Sequence, residues 1–101
     1  MQAPVQGQTE TPAQAPFAVE RAWQLNPQVA LRDESFGALA YHYGNRRLVF
    51  LKSRLLVELV SSLGDHASAA AAIQEMVPEG QRVAYERALA RLAASEVIDV
   101  R

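Results

Sequence analysis

Cysteine is absent from the 101-residue chain, which excludes disulfides, a thiolate metal site and a cysteine nucleophile together. Glycine and proline are scarce, five of each, and the glycines are too scattered to build a phosphate-cradling loop. No apolar run approaches the roughly 20 residues that span a bilayer. The first residues carry neither a lysine or arginine nor an apolar stretch, so no secretory signal is expected. Excess charge of one sign is missing as well. Ten Lys and Arg against eleven Asp and Glu leave a net charge of −1, which argues against a general nucleic-acid binder with its clustered, unbalanced cations. These absences point to a cytoplasmic protein that engages neither membrane nor nucleic acid.

Catalytic chemistry finds no footing either. His42 and His66 are isolated, without a carboxylate or second histidine at ligand spacing, and His42 reads as a satisfied polar side chain in a strand. Ser53, Ser61, Ser62 and Ser68 read as helix caps and polar-face residues, because none lies in a strand-Ser-helix elbow. Asp33 and Glu34 are solvated turn carboxylates rather than an acid/base couple. No enzyme, no metal site and no cofactor is expected.

What is present fits one small domain, since half of the residues are hydrophobic and the length suffices for a single core. Residues 1 to 16 are mainly Gln, Pro, Thr and Ala, a composition that buries too little apolar area to offset ordering entropy, and are expected to be a disordered tail. The domain is expected over 17–101. Trp23 anchors the chain onto the core, and Pro27 holds Asn26 extended. Gln28 to Asp33 alternates Val29 and Leu31 with more polar residues and predicts a first strand.

Residues 36 to 53 predict a hairpin. Gly44 and Asn45 suit a tight two-residue loop with positive φ, which would set Tyr43 opposite Arg46, Tyr41 opposite Leu48 and Leu39 opposite Phe50. That face is bulky and apolar, and Leu48 and Phe50 are expected in the core. The other face, with Ala38, Ala40, His42, Arg47, Val49 and Leu51, is thinner and mixed; it is either covered or packed lightly on a loop.

Ser53 caps a predicted helix whose Leu55, Leu56, Leu59, Val60 and Leu63 recur at helical spacing, with Gly64 past its end. Asp65 or Ser68 starts a second helix through Ala69, Ala72, Ile73 and Met76. A third runs from about Gln81 to Ala94, with Pro78 near its start and Tyr85, Ala88, Leu89 and Leu92 on one stripe. Arg82 and Glu86 lie off that stripe and can pair, whereas Arg87 and Arg91 repel. Ser95 to Arg101 either forms a closing strand or tucks Val97 and Ile98 under the core. The fold class is therefore α+β: a three-stranded antiparallel sheet followed by three helices, in an arrangement like a winged helix-turn-helix.

Charge placement says more than the sum. Between Ser35 and Val57 the only charged residues are Arg46, Arg47, Lys52 and Arg54, all basic, so hairpin and following turn make a local positive field suited to an acidic partner.

The run from Leu31 to Leu48, with its Arg32-Asp33-Glu34-Ser35-Phe36-Gly37-Ala38-Leu39 stretch followed by Tyr41-His42-Tyr43-Gly44, resembles the small peptide chaperones of mycofactocin biosynthesis. Phe50 to Ser53, Leu63 to His66 and Leu92 to Ser95 extend the likeness, which with Trp23 and Pro27 covers about residues 21 to 98. Glu96 departs from it, standing where a glycine is expected. The resemblance implies a RiPP recognition element like that of the pyrroloquinoline quinone chaperone. Such a domain binds the leader of a ribosomally made precursor peptide and presents it to a radical S-adenosylmethionine maturase. It implies that the leader adds as a strand to the third strand, beside the third helix. Carried onto this chain, the peptide site comprises Arg46, Arg47, Leu48, Val49, Phe50, Leu51 and Lys52 on the strand, and Arg82, Tyr85, Glu86 and Leu89 on the helix. Val49, Leu51, Tyr85 and Leu89 are expected to supply pockets, and Arg46, Arg47, Lys52 and Arg82 to steer. A monomer or weak dimer is expected. The alternatives are a winged-helix DNA-binding regulator using Arg82, Arg87 and Arg91, and a structural subunit of the maturase that never touches peptide.

Overall fold

The computed structural model describes residues 17–101; the expected tail, 1 to 16, lies outside them. In chain order the elements are β1 (Trp23–Leu25), β2 (Val29–Glu34), β3 (Gly37–His42), β4 (Leu48–Leu51), α1 (Arg54–Ser62), α2 (Ala69–Met76), α3 (Arg82–Ala94) and β5 (Ile98–Val100). Short 3-10 turns at Leu63–Asp65 and Glu79–Gln81 follow α1 and precede α3. The α+β class and its order, three-stranded antiparallel sheet then three helices, are as the sequence implies.

Both predicted caps form. Ser53 Oγ accepts the Leu56 N–H at 2.9 Å and Ser68 Oγ that of Ala71 at 3.0 Å, each satisfying a first-turn donor that has no partner within its helix. The chain end resolves as a strand: β5 pairs antiparallel with β1, Trp23 opposite Val100 and Leu25 opposite Ile98. That second, two-stranded sheet was not predicted beyond the anchoring of Trp23, which is buried and donates its indole N–H to the Ala18 carbonyl at 2.8 Å.

In the larger sheet, of order β2-β3-β4, Tyr41 faces Leu48 and Leu39 faces Phe50, the predicted register. The face that goes inward is the other one. Ala38, Ala40, His42 and Leu51 are all buried, whereas Leu48 and Phe50 are 59% and 55% exposed, so their assignment to the core is corrected. The small side chains of Ala38 and Ala40 let helices lie close, and Val57, Leu59 and Val60 of α1 with Leu89 and Leu92 of α3 complete the core. Bulk is supplied by the helices, so the sheet's inner surface has to be thin. The outer face covers itself only in part: Phe36 stacks on Phe50 with centroids 5.6 Å apart, and Tyr43 meets Tyr41 edge-on at 5.1 Å.

The hairpin loop also differs. Strand pairing stops at His42 and resumes at Leu48, and Arg46, not Gly44, takes the positive φ, at 65°. His42 donates its backbone N–H to the Arg47 carbonyl and accepts the Arg46 N–H on its own, so Tyr43 and Arg46 do not pair. Asn45 Oδ1 accepts the Arg47 N–H at 2.9 Å, and this local bond replaces the strand rungs of a tighter turn. Gly44 is needed for closeness instead: a Cβ there would lie 2.6 Å from Gln28 Oε1 and 2.8 Å from the His42 ring.

Glu96, where the likeness implies glycine, has φ 66° just past the end of α3. That is the left-handed position at which helices usually stop on glycine, and an L side chain there costs about 1 kcal/mol. Glu96→Gly is therefore expected to raise stability by up to about 0.5 kcal/mol after allowing for the added freedom of the unfolded chain. Urea unfolding followed by circular dichroism measures it; a variant less stable than the parent would mean that the glutamate side chain outweighs the strain.

Candidate functional site

β4 has a neighbour on one side only, since the sheet ends with it. The His42 N–H reaches the Arg47 carbonyl at 3.0 Å, and bonds alternate along an antiparallel ladder. Val49 and Leu51 thus turn their backbone groups toward β3, and Leu48 and Phe50 turn theirs outward. Among the described residues no backbone group from another segment bonds to that outer edge.

The strand is fixed at both ends. Before it, Asn45 Nδ2 donates to the Ser95 carbonyl at 3.5 Å, and after it Ser53 Oγ and Tyr85 Oη share a 2.9 Å hydrogen bond. The loop before β4 thereby touches the cap of α3, and the residue that caps α1 is tied to α3 itself. His42, the one buried polar residue of the described core, rigidifies the first tie: Nδ1 accepts the Gly44 and Asn45 N–H groups at 3.0 and 3.1 Å. Its Nε2 lies 3.3 Å from Asn26 Nδ2, which donates to the Glu96 carbonyl at 3.0 Å, and 3.9 Å from Glu96 Oε1. This bears out the reading of His42 as satisfied.

The residues named from the sequence divide by position. Leu48 and Phe50 are exposed on the outer face, Val49 of β4 and Tyr85 of α3 are half-buried, and Leu51 and Leu89 are fully buried. Arg46, Arg47 and Lys52 are exposed and have no ionic partner among the described residues. Arg82 is engaged within the fold: its Nε donates to the Val77 carbonyl at 2.9 Å and Nη2 to that of Gln74 at 3.0 Å. It closes the end of α2, and that use replaces the pairing with Glu86 read from helical spacing. It also takes from the DNA-binding alternative one of its three recognition-helix cations. Glu86 is exposed on α3.

The outer sheet face is the feature that the sequence reading missed. Ala30, Leu39, Tyr41, Tyr43 and Leu48 line an open depression of about 380 Å³ there. The signal was present in the size pattern, but a bulky strand face is normally read as core. The opposite edge, β2, differs in charge: Arg32 pairs with Glu34 at 2.7 Å, and Asp33 lies 3.5 Å from Arg54. Its charges all have partners, Asp33 on Arg54 of α1, whereas Arg46, Arg47 and Lys52 beside β4 have none among the described residues. Asp33 and Glu34 belong to that strand's end rather than to a break before the hairpin.

No cluster of three or more potential metal ligands occurs among the described residues, and no helix there is long and apolar enough to cross a membrane. An uncovered strand edge with bare cations and a partly exposed apolar flank is the equipment of a binding module. The chain belongs to the Peptide chaperone MftB family, which matches residues 22–99. This is a family of chaperones and not of catalysts. Three relatives carry the same description, peptide chaperone MftB. The chain is 43% identical to that of Mycolicibacterium smegmatis over 91 residues, 89% of each chain. It is 42% identical to that of Mycobacterium ulcerans over 83 residues, 81% of this chain and 76% of the relative. To that of Mycobacterium tuberculosis it is 38% identical over 96 residues, 94% of this chain and 88% of the relative. No solved structure matches the chain significantly.

Proposed function

We propose that this chain holds the leader of the mycofactocin precursor peptide as an added strand on β4 and presents it to a radical S-adenosylmethionine maturase. The observation that supports this most is the open outer edge of β4, flanked by cations that nothing in the described protein neutralises. Residues 17–101 form the binding unit. The N–H and C=O groups of Leu48 and Phe50 offer about four main-chain hydrogen bonds, each worth roughly 1 kcal/mol net. That is short of the roughly 8 kcal/mol of a micromolar complex. The remainder comes from alternate leader side chains: one set beside Val49 and Tyr85 over the Leu51 and Leu89 floor, the other beside Leu48 and Phe50. Arg46, Arg47 and Lys52 act chiefly on encounter rate, because exposed ion pairs contribute under about 1 kcal/mol each. Arg82 and Glu86 lie on the neighbouring helix, Arg82 shaping its start.

Fluorescence anisotropy with a labelled precursor leader tests the reading. Saturable binding that weakens as salt rises is expected, and Arg47→Glu should weaken it by about threefold to tenfold at low salt. No binding at any soluble protein concentration would remove the proposal. Co-elution of peptide, chaperone and maturase as one complex on size exclusion, with the peptide held by the chaperone alone but not by the maturase alone, tests the presentation step.

A further inference from the structure

We infer that the cations around β4 act as a filter: they keep a second copy of this chain off the open edge and admit an extended peptide with acidic residues on both sides of a short apolar stretch. This rests on β4 being the receiving strand. A free edge with apolar side chains is a template for its own copy as much as for a guest. Two copies related by a twofold axis would pair antiparallel, with opposed residues on one face and the outward groups of Leu48 and Phe50 bonding each other. The register that meets both conditions with the fullest overlap sets Leu48 against Phe50 of the second copy and Val49 against Val49.

Carried past the strand ends, that register sets Arg47 opposite Leu51 of the other copy and brings Arg46, in the loop just before β4, to the end that carries the other copy's Lys52. Like charges gathered at the same end of a strand pair repel. No acidic residue lies between Ser35 and Val57 to relieve them, and the only cation here with an ionic partner is Arg54, 3.5 Å from Asp33. The arrangement that repels a copy attracts a carboxylate at either end of a guest. Because β4 spans four residues, Leu48–Leu51, the guest's apolar stretch is of similar length.

Lys52→Glu separates the two halves of the idea, since it turns both end contacts of the self-paired register into opposite-charge pairs at an exposed position. In sedimentation equilibrium of the full chain, the variant is expected to self-associate at least about tenfold more tightly than the parent, with Lys52→Gln between them. The guest arm uses a synthetic peptide with a central Val-Thr-Val-Ile run and two glutamates at each end. It should bind the parent, bind Lys52→Glu several times more weakly, and lose binding when its glutamates become lysines. A Lys52→Glu chain that stays as monomeric as the parent while still losing the acidic peptide would overturn the exclusion of the copy. Equal binding of acidic and basic peptides would overturn the guest preference. A Lys52→Glu dimer without any peptide binding to the parent would leave the exclusion standing and sink the leader site instead.

Discussion

Phe50→Pro should abolish or severely weaken leader binding while leaving the fold standing. Phe50 directs its N–H to the open side of β4, so proline there removes a donor that only a guest would use and sets ring carbons where the guest's carbonyl must approach. The side chain is more than half exposed, and proline is tolerated on edge strands with the N–H side outward. A guest carbonyl left without its donor costs about 1–3 kcal/mol, a loss of roughly 10-fold to 100-fold in affinity. Phe50→Ala is the control, because it removes the same ring contacts and keeps the donor. Titration of both variants with labelled leader, beside their thermal unfolding, makes the comparison. Equal affinities for the two would mean that the peptide does not use this edge. Proline at Val49 would be the wrong probe, since that N–H serves the ladder to β3, opposite Ala40.

Gly37→Ala is expected to be the most damaging single-methyl change in the domain. Gly37 opens β3 with φ 148°, and a Cβ there would lie 2.1 Å from the Leu51 carbonyl oxygen and 3.0 Å from the Ser53 nitrogen. Both are backbone atoms, so relief requires the end of β4 and the cap of α1 to move together. Forbidden φ and overpacking each cost about 1–3 kcal/mol, so a loss of about 3 kcal/mol or more is expected, out of a total stability of about 5–15 kcal/mol. Urea unfolding should show the midpoint falling steeply, with leader affinity falling alongside. A loss below about 1 kcal/mol would show that the strand ends slide apart freely.

The helices were legible because their signals are local. Ser53 and Ser68 stand just before apolar residues at helical spacing, and each cap is a bond between residues three apart. The strand register was legible for a similar reason, as the loop and its two flanking runs lie within one short segment. The sheet's inward face was not. One face of the hairpin is bulky and the other thin and mixed, and bulk favoured Leu48 and Phe50 as core. What decided the matter was the close approach of α1 to β3 and β4, for which the small Ala38 and Ala40 leave room. The pair of β1 and β5 was hidden because three residues carry no period, and their partners lie about 75 residues apart in the chain. Arg82 was read as a partner for Glu86 and a steering cation, because its two carbonyl partners lie in and just after the preceding helix, which helical spacing within α3 cannot report. Of the site itself, the edge strand and its cations could be read in advance, whereas the outer depression could not.

The two ties from the ends of β4 to α3, through Asn45 and Ser95 and through Ser53 and Tyr85, have a thermodynamic meaning for recognition. They tether the segments on either side of β4, so that, if β4 receives the leader as proposed, little of its own freedom is left to lose on binding. The entropic cost then falls almost wholly on the incoming chain, which must give up its many conformations for one. Under the proposed strand addition, selectivity among precursor peptides is then set as much by how readily each adopts an extended shape by itself as by the groups it can offer.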